Sequence, residues 1–481
     1  MNRIMINPSF SLASIDRNIF GGFAEHLERC IYGGIYDPKS TYADERGLRT
    51  DVIGALRRLQ MPLIRYPGGN FASGYRWRDG VGQRYKRPAR QELAWHTVES
   101  NEFGTNEFIE FCRALDTEPY LCVNCGDGDM REARDWVEYC NGTAQTELAD
   151  LRRHHGYGAP HNVKYWGIGN EVDGSWQIGY KTAQEYARAA TEFGKVMKWV
   201  DPSIKLIASA VSNWNTTDWV ERAQLLMEQA GDLIDYVALH WYVDNEKNDF
   251  ASYMALSELF DARLSAIEGL IRAVQLQRGS KHPVYISVDE WNVWHKSATG
   301  VQAETIYNLE DVLVIAMHFN AFIRHASSVK MANIAQIVNV LAPVFTRENE
   351  LFLQTIFFPF ELYSRFTGST ALNVYWDGDT FGGLRTLDVT ATLSEDHKQL
   401  AVFVVNRSER DGAETTVSLG EGQFSGAVKV YTINGAGLKT TNSFEQPGQV
   451  LTRENQLAPS GSSLRVAFEP HSVTALVCQV T

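Results

Sequence analysis

Two short runs place acidic residues where apolar strands end. In "KYWGIGNEVDG" (Lys164–Gly174) the stretch from Lys164 to Ile168 reads as a buried strand and stops at Asn170-Glu171. In "PVYISVDEWNVWH" (Pro283–His295) a β-branched strand runs into Asp289-Glu290. Burying an ionised carboxylate without partners is costly, so such residues have a partner or a task. Two that converge can work as a pair: one, protonated, donates to a leaving oxygen, while the other, ionised, attacks the carbon that the oxygen leaves. This is the chemistry of glycosidic-bond cleavage. A separation of about 5–5.5 Å gives retention through a covalent intermediate, and about 6.5–9.5 Å gives inversion through water. Close like charges also push one pKa up, which keeps the acid loaded near neutral pH. One strand-end acid alone would more often cap a helix or pair with arginine; two, each beside Asn or Trp, favour catalysis. Side chains alternate along a strand, so only one of Asp289 and Glu290 is expected to face inward. By the same rule Asn170 and Glu171 share a face only if the backbone curls.

The elements that must position these acids are legible from periodicity. Eight short runs are apolar on both faces, as strands of a covered parallel sheet are. They are Ile19–Ala24, Pro62–Tyr66, Pro119–Asn124, Val163–Ile168, Lys205–Ser209, Tyr236–Trp241, Val284–Val288 and Ser328–Ile334. Amphipathic stretches alternate with them. The clearest is Thr182–Val200, with Ala183, Tyr186, Ala187, Ala190, Phe193 and Met197 at helical spacing and Asp201-Pro202 as a stop. Gly47–Gln60 and Asn106–Asp116 behave alike. The pattern predicts a (β/α)8 TIM barrel over 18–370 with enlarged loops, and its active site belongs at the C-terminal strand ends. Glu171 then follows strand four and Glu290 strand seven, across the barrel from each other. A doubly wound sheet is the competitor, but "FGGFAEH" after the first strand is no G-x-G-x-x-G turn. Beyond Thr370 the period changes to two, in "QLAVFVVNRSE", "AVKVYTING" and "SSLRVAFEPHSVTALVCQV". This predicts a β-sandwich of 1–17 plus 371–481, with the strand-like opening "NRIMINPSF" paired into it.

Composition narrows the partners. With 45 basic and 58 acidic residues the net charge is −13, which argues against nucleic acid and anionic membranes. No apolar run approaches the ~18 residues of a membrane span. The N-terminus shows no secretory h-region and the six cysteines are scattered, which together point to reduced thiols in the cytoplasm. "CVNC" at Cys122–Cys125 has CxxC spacing but no second pair, and is read as strand residues near a barrel mouth.

Long motifs now add a resemblance. "KYWGIGNEVDGSWQIGYKTAQEYA", "RYPGGNFASGYRWRDGVG", "FAEHLERCIYGGIYDP", "VDEWNVWH" and "KMANIAQIVNVLAP" closely resemble glycoside hydrolase family 51, the α-L-arabinofuranosidases. The similarity spans nearly the whole chain. It implies a (β/α)8 barrel with a jelly-roll domain that includes the N-terminal strand, and a retaining reaction without metal or organic cofactor. It further implies exo action on terminal arabinofuranose of arabino- or arabinoxylo-oligosaccharides and a homo-oligomer, hexameric in many members. By motif, Glu171 resembles the general acid/base, Glu290 the nucleophile and Asn170 the residue on the sugar 2-hydroxyl. Glu25 and Asn70 match holders of the other hydroxyls, Arg65 a partner of a catalytic carboxylate, and Tyr242 the tyrosine on the nucleophile. His240, two residues before Tyr242, should point the same way; Gln354 matches a further subsite residue, with Gln336 as its alternative. Of Trp77, Trp176, Trp291 and Trp294, one or two should form a sugar platform, and Trp294 is the candidate carried forward. Trp241 and the loop "VNCGDGD" depart from the family pattern and are placed at the rim.

Other readings compete. An endo-β-glucanase or a galactofuranosidase would use the same machinery on another sugar. A sugar-binding protein on an inactive barrel would have lost one of the two glutamates, and both are present. A metal-dependent hydrolase could recruit His240, Asp289 and His295, but no HxH or similar cluster is seen.

Overall fold

The computed structural model describes residues 2–295 and 303–481. Among these residues, eight parallel strands close into a barrel: Gly21–Phe23, Leu63–Tyr66, Glu118–Val123, Tyr165–Ile168, Lys205–Val211, Tyr236–Val243, Tyr285–Val293 and Val329–Ala335. We call them barrel strands one to eight. Their side chains are buried on both faces nearly throughout, because the barrel interior takes one face and a ring of helices the other. The expected helices are present with small shifts at their ends, as Thr50–Leu59, Thr105–Leu115 and Ala183–Val200. The last opens with a reciprocal cap: Thr182 Oγ1 accepts from Glu185 N–H, and the Glu185 carboxylate accepts from Thr182 N–H.

The C-terminal strands form a nine-stranded sheet around a second apolar core that includes Ile4, Ile6, Val389, Val402 and Leu476. The N-terminal strand Asn2–Ser14 belongs to it, antiparallel to Thr370–Asp377 and parallel to Ala413–Leu419. Helix Leu309–Arg324 joins the two units. It is buried from Leu309 through Ile323, as a helix apolar on every side must be. One side meets the barrel and another the sheet. Its Asn320 donates to Asp388 Oδ1 at 2.6 Å and Arg324 donates to the same atom at 2.9 Å. No helix among the described residues is long and apolar enough to cross a membrane.

Candidate active site

The C-terminal ends of the barrel strands converge on Arg65, which strand two carries and whose side chain is fully buried. Its Nη1 donates to Glu290 Oε1 at 2.5 Å and its Nη2 to Asn170 Oδ1 at 2.6 Å, while Asp289 Oδ2 lies 3.3 Å from Nε. The ring of Phe23 lies 4.6 Å from the guanidinium carbon. Burial alone would lower the guanidinium's pKa. Asp289 and Glu290 outweigh it and hold the pKa well above the ordinary value.

Asp289 and Glu290 both reach Arg65, which corrects the expectation that only one would face inward. The pairing of strands six and seven slips there: Val288 opposes Leu239 and Glu290 opposes His240, which leaves Asp289 as the extra residue of a β-bulge. Asp289 accepts from Tyr120 Oη at 2.9 Å, Ser287 Oγ at 2.9 Å and Asn333 Nδ2 at 3.1 Å. Those three donors and Arg65 occupy its oxygens within the barrel. Glu290 is left to the mouth, where its Oε2 accepts from Tyr242 Oη at 2.9 Å.

Strand four ends in a curl of the kind that the alternation rule demanded. Gly169 has φ of +74° and Glu171 φ of +43°. Glycine adopts that region freely, and a Cβ at 169 would lie 2.6 Å from Cys125 Cβ. Asn170 can therefore bind Arg65 while Glu171 turns to the mouth as well. Glu171 Oε1 sits 2.9 Å from His240 Nδ1, and Oε2 accepts from Trp176 Nε1 at 2.7 Å. His240 Nδ1 is also 3.4 Å from Glu290 Oε2, so the ring stands between the two glutamates. Burial opposes its charge, but Glu290 and Glu171 together raise its pKa above the ordinary value. One ligand atom from each of Glu171, His240 and Glu290 lies within 4.8 Å of the others. Two carboxylates from the ends of strands four and seven thus face each other across the mouth, with one oxygen of each within 4.8 Å.

The floor is built from the first two strand ends. Glu25 is buried; its Oε1 accepts from Phe71 N–H at 3.2 Å and Trp95 Nε1 at 3.3 Å, and its Oε2 accepts from Gln336 Nε2 at 3.1 Å. Burial and then the charge of Glu290 push its carboxyl up to about 8, against those donors and Arg65. At neutral pH it therefore carries a proton. The turn Pro67-Gly68-Gly69 owes its glycines to close approach. A Cβ at Gly68 would lie 2.6 Å from Glu25 Cγ, and one at Gly69 3.0 Å from Glu290 Oε1. Asn70 opens the short helix Asn70–Gly74 beside this turn, half-buried. Trp294 is partly exposed and meets Tyr242 edge-on, with ring centroids 5.4 Å apart.

Several sequence expectations land elsewhere. Gln354 is wholly buried and spends its amide on Thr305 O, Ala342 O and Tyr307 N–H, so it is Gln336 that touches the site. Trp241 is no rim residue: it packs outward, stacked on Phe260 at 4.9 Å and donating to His318 Nε2 at 3.0 Å. Trp77 stacks on Trp136, and Trp291 packs among His318, Phe319 and Phe322. Cys122 and Cys125 are buried free thiols. His295 binds Asp244 at 2.7 Å and Asp311 at 3.1 Å, which raise its pKa to about 9 against the effect of burial. With His295 bound there and Asp289 held by Arg65, these two do not join His240 in a shared centre. Trp95 was not foreseen; it sits in the connection of the hairpin Arg90–Glu99, a stretch without strand or helix periodicity.

A closed parallel barrel with two opposed carboxylates at its C-terminal mouth, one ion-paired to a buried arginine, defines a glycoside hydrolase. Comparison with known proteins supplies the family. Residues 55–261 match the model of the α-L-arabinofuranosidase 1 domain, and residues 289–472 that of the α-L-arabinofuranosidase C-terminal domain. The chain is 37% identical to the intracellular exo-α-(1→5)-L-arabinofuranosidase 1 of Bacillus subtilis, over 98% of this chain and 97% of that protein. It is 39% identical to α-L-arabinofuranosidase C of Emericella nidulans, over 98% and 96%. It superposes on the arabinose complex of the Thermotoga maritima α-L-arabinofuranosidase with a TM-score of 0.93, 36% identity and full coverage of both chains. The chain belongs to the α-L-arabinofuranosidases of glycoside hydrolase family 51.

Proposed function

We propose that the enzyme removes terminal arabinofuranose by a retaining double displacement, with Glu290 as nucleophile and Glu171 as acid and then base. The observation that carries this is the arrangement of the two side chains, within 4.8 Å and bridged by His240. In the first step a Glu290 oxygen attacks the anomeric carbon, the glycosidic bond breaks, and Glu171 gives its proton to the departing oxygen. In the second, water attacks the same carbon, Glu171 takes the water's proton, and Glu290 leaves. Arg65 and Tyr242 orient Glu290 throughout, and Asn170, fixed by Arg65, holds the 2-hydroxyl. Such contacts strengthen as the ring flattens toward an oxocarbenium ion. Glu25, proton-bearing, and Gln336 bind the far hydroxyls, with Asn70 at the rim. Trp95 closes the site on the Glu25 side, which favours a pocket for one terminal sugar over an open endo cleft.

The relatives named for exo action on α-(1→5)-linked arabinose support short arabino-oligosaccharides as substrates, and their naming as intracellular supports a cytoplasmic place of action. A homo-oligomer fits the exposed apolar residues Met5, Phe10, Leu12 and Tyr375 on two paired strands of the nine-stranded sheet. The test is hydrolysis of 4-nitrophenyl α-L-arabinofuranoside followed by proton NMR. Release of the α-anomer of arabinose as first product supports the reading; the β-anomer, or turnover only of another glycoside, contradicts it.

A further inference from the structure

Strand four reaches its last paired residue at Ile168, where the ladders to both neighbouring strands end. The turn that follows carries Asn170 and Glu171, and its backbone polar groups need partners outside the ladder. Ile168 O accepts from Tyr186 Oη at 2.6 Å. Gly169 O lies 3.4 Å from Cys122 Sγ, within the range of an S–H donor, and the thiol's other acceptor, Val123 O, is farther off at 3.9 Å. Cys122 is buried, and burial pushes its thiol up to about 11 against the pull of the Arg65 guanidinium. It therefore keeps its proton at neutral pH and has it to donate.

Both cysteines of the CxxC run are free thiols, and both border this turn. Cys122 stands opposite Gly167 in the strand pairing, and a Cβ at 167 would lie 3.2 Å from its Sγ, so strand four gives up a side chain to seat the sulfur. Cys125 fills the space that a side chain at 169 would need: a Cβ there would be 2.6 Å from Cys125 Cβ and 3.3 Å from its Sγ. The end of strand three thus meets Gly169 twice, with a donor at its carbonyl and with bulk at its α-carbon. Cys122 also feels the charges of Arg65, Asp289 and Glu290, which sets it between the support of Glu290 and the turn that carries Glu171. Resting on the assignment of Glu171 as acid/base, we propose that Cys122 is a positioning residue for that acid/base. Its S–H holds the Gly169 carbonyl while Cys125 closes the space beside Gly169, so that the turn presents the Glu171 carboxyl to the leaving oxygen in one orientation.

The readout is the ratio of kcat/KM for phenyl to that for 4-nitrophenyl α-L-arabinofuranoside. It falls when proton donation is misaimed, because only the poorer leaving group depends on the proton. A displaced nucleophile slows both substrates and leaves the ratio where it was. Cys122→Ala loses the donor and lowers the ratio about fivefold. Cys122→Val fills the site without a donor and lowers it as alanine does, whereas Cys122→Ser keeps a donor and returns it to within about twofold of wild type. Thermal midpoints show which variants are folded. A folded Cys122→Ala with the wild-type ratio overturns the proposal, as does a ratio that valine restores and serine does not, since packing alone then accounts for the cysteine. Should alanine and valine fail to fold, serine decides: the wild-type ratio supports the proposal and a ratio about fivefold lower overturns it. Glu171→Ala lowers the same ratio by about a hundredfold. If it does not, the reading of Glu171 as acid/base fails first and that of Cys122 with it.

Discussion

At the scale of single residues, the site works by giving similar carboxyl groups different surroundings. Glu290 has a buried cation and a phenol, whereas Glu171 has an imidazole and an exposed indole. Glu25 has only neutral donors within reach and a negative neighbour, and burial lifts it to about 8. The sign of its pH effect follows. Below about 8 it is neutral and can donate to a sugar hydroxyl. As pH rises through that value it loses the proton and adds a second negative charge beside Glu290. Affinity for the furanose ring should therefore fall above pH 8. Initial rates across pH 6–10 should show KM for 4-nitrophenyl α-L-arabinofuranoside rising on the alkaline side in the wild type. Glu25→Gln should have a higher KM overall, flat over the same range, since its amide does not titrate. An equally steep rise in that variant would remove Glu25 as the source.

At the scale of elements, two local departures from regular structure assemble the site. The bulge in strand seven sends Asp289 and Glu290 to the same arginine, and the left-handed turn after strand four sends Asn170 and Glu171 to the same mouth. The turn after strand two adds backbone close enough to Glu290 that a methyl at Gly69 would sit 3.0 Å from Oε1. Gly69→Ala should displace that oxygen by a few tenths of an ångström and lower kcat by about a hundredfold or less. Its melting temperature should fall as well, because φ −87° with ψ −97° at position 69 lies outside the backbone regions that a residue with a Cβ favours. A kcat within about twofold of wild type would mean that nucleophile placement tolerates the shift. These departures also mark where the sequence stopped being legible. The eight strands were readable because both faces are apolar, and the glutamates because each ends such a strand. Gly169 was a visible cue for the curl. The bulge had a fainter one: in "ISVDEWNV" the apolar–polar alternation slips by one residue at Asp289-Glu290, which the strict alternation rule passed over. Gln336 and Gln354 could not be separated by type, only by which amide the barrel mouth leaves free. Trp176 was visible as one of four nearby tryptophans, but nothing in the chain told a rim indole from a packed one.

At the scale of the whole molecule, the barrel leans on the C-terminal sheet through the buried helix Leu309–Arg324 and through Phe357–Phe366, whose Tyr363 and Phe366 stack on Phe403 and Tyr431. Arg324 lies between Asp261 of the barrel's outer helix layer, at 2.6 Å, and Asp388 of the sheet, at 2.9 Å. Burial disfavours its charge, but the two aspartates hold its pKa above the ordinary value. Removing one partner of such a set leaves an uncompensated charge. Arg324→Ala should therefore cost about 3–5 kcal/mol in urea unfolding. The mutation lies far from the mouth in chain and in contacts, so kcat/KM well below the unfolding transition should hold. Wild-type stability in the variant would show that the ion set contributes nothing net to the junction.

The central claim is that Glu290 bonds to the sugar and Glu171 then frees it. Glu171→Ala removes the base of the second step and leaves the first open to a substrate that departs without help. Incubated with 4-nitrophenyl α-L-arabinofuranoside, quenched and digested, this variant should yield a peptide containing Glu290 that carries one arabinosyl group, located by mass spectrometry. An arabinosyl group on any other carboxylate, or steady turnover with no covalent species and an inverted product, would contradict the account.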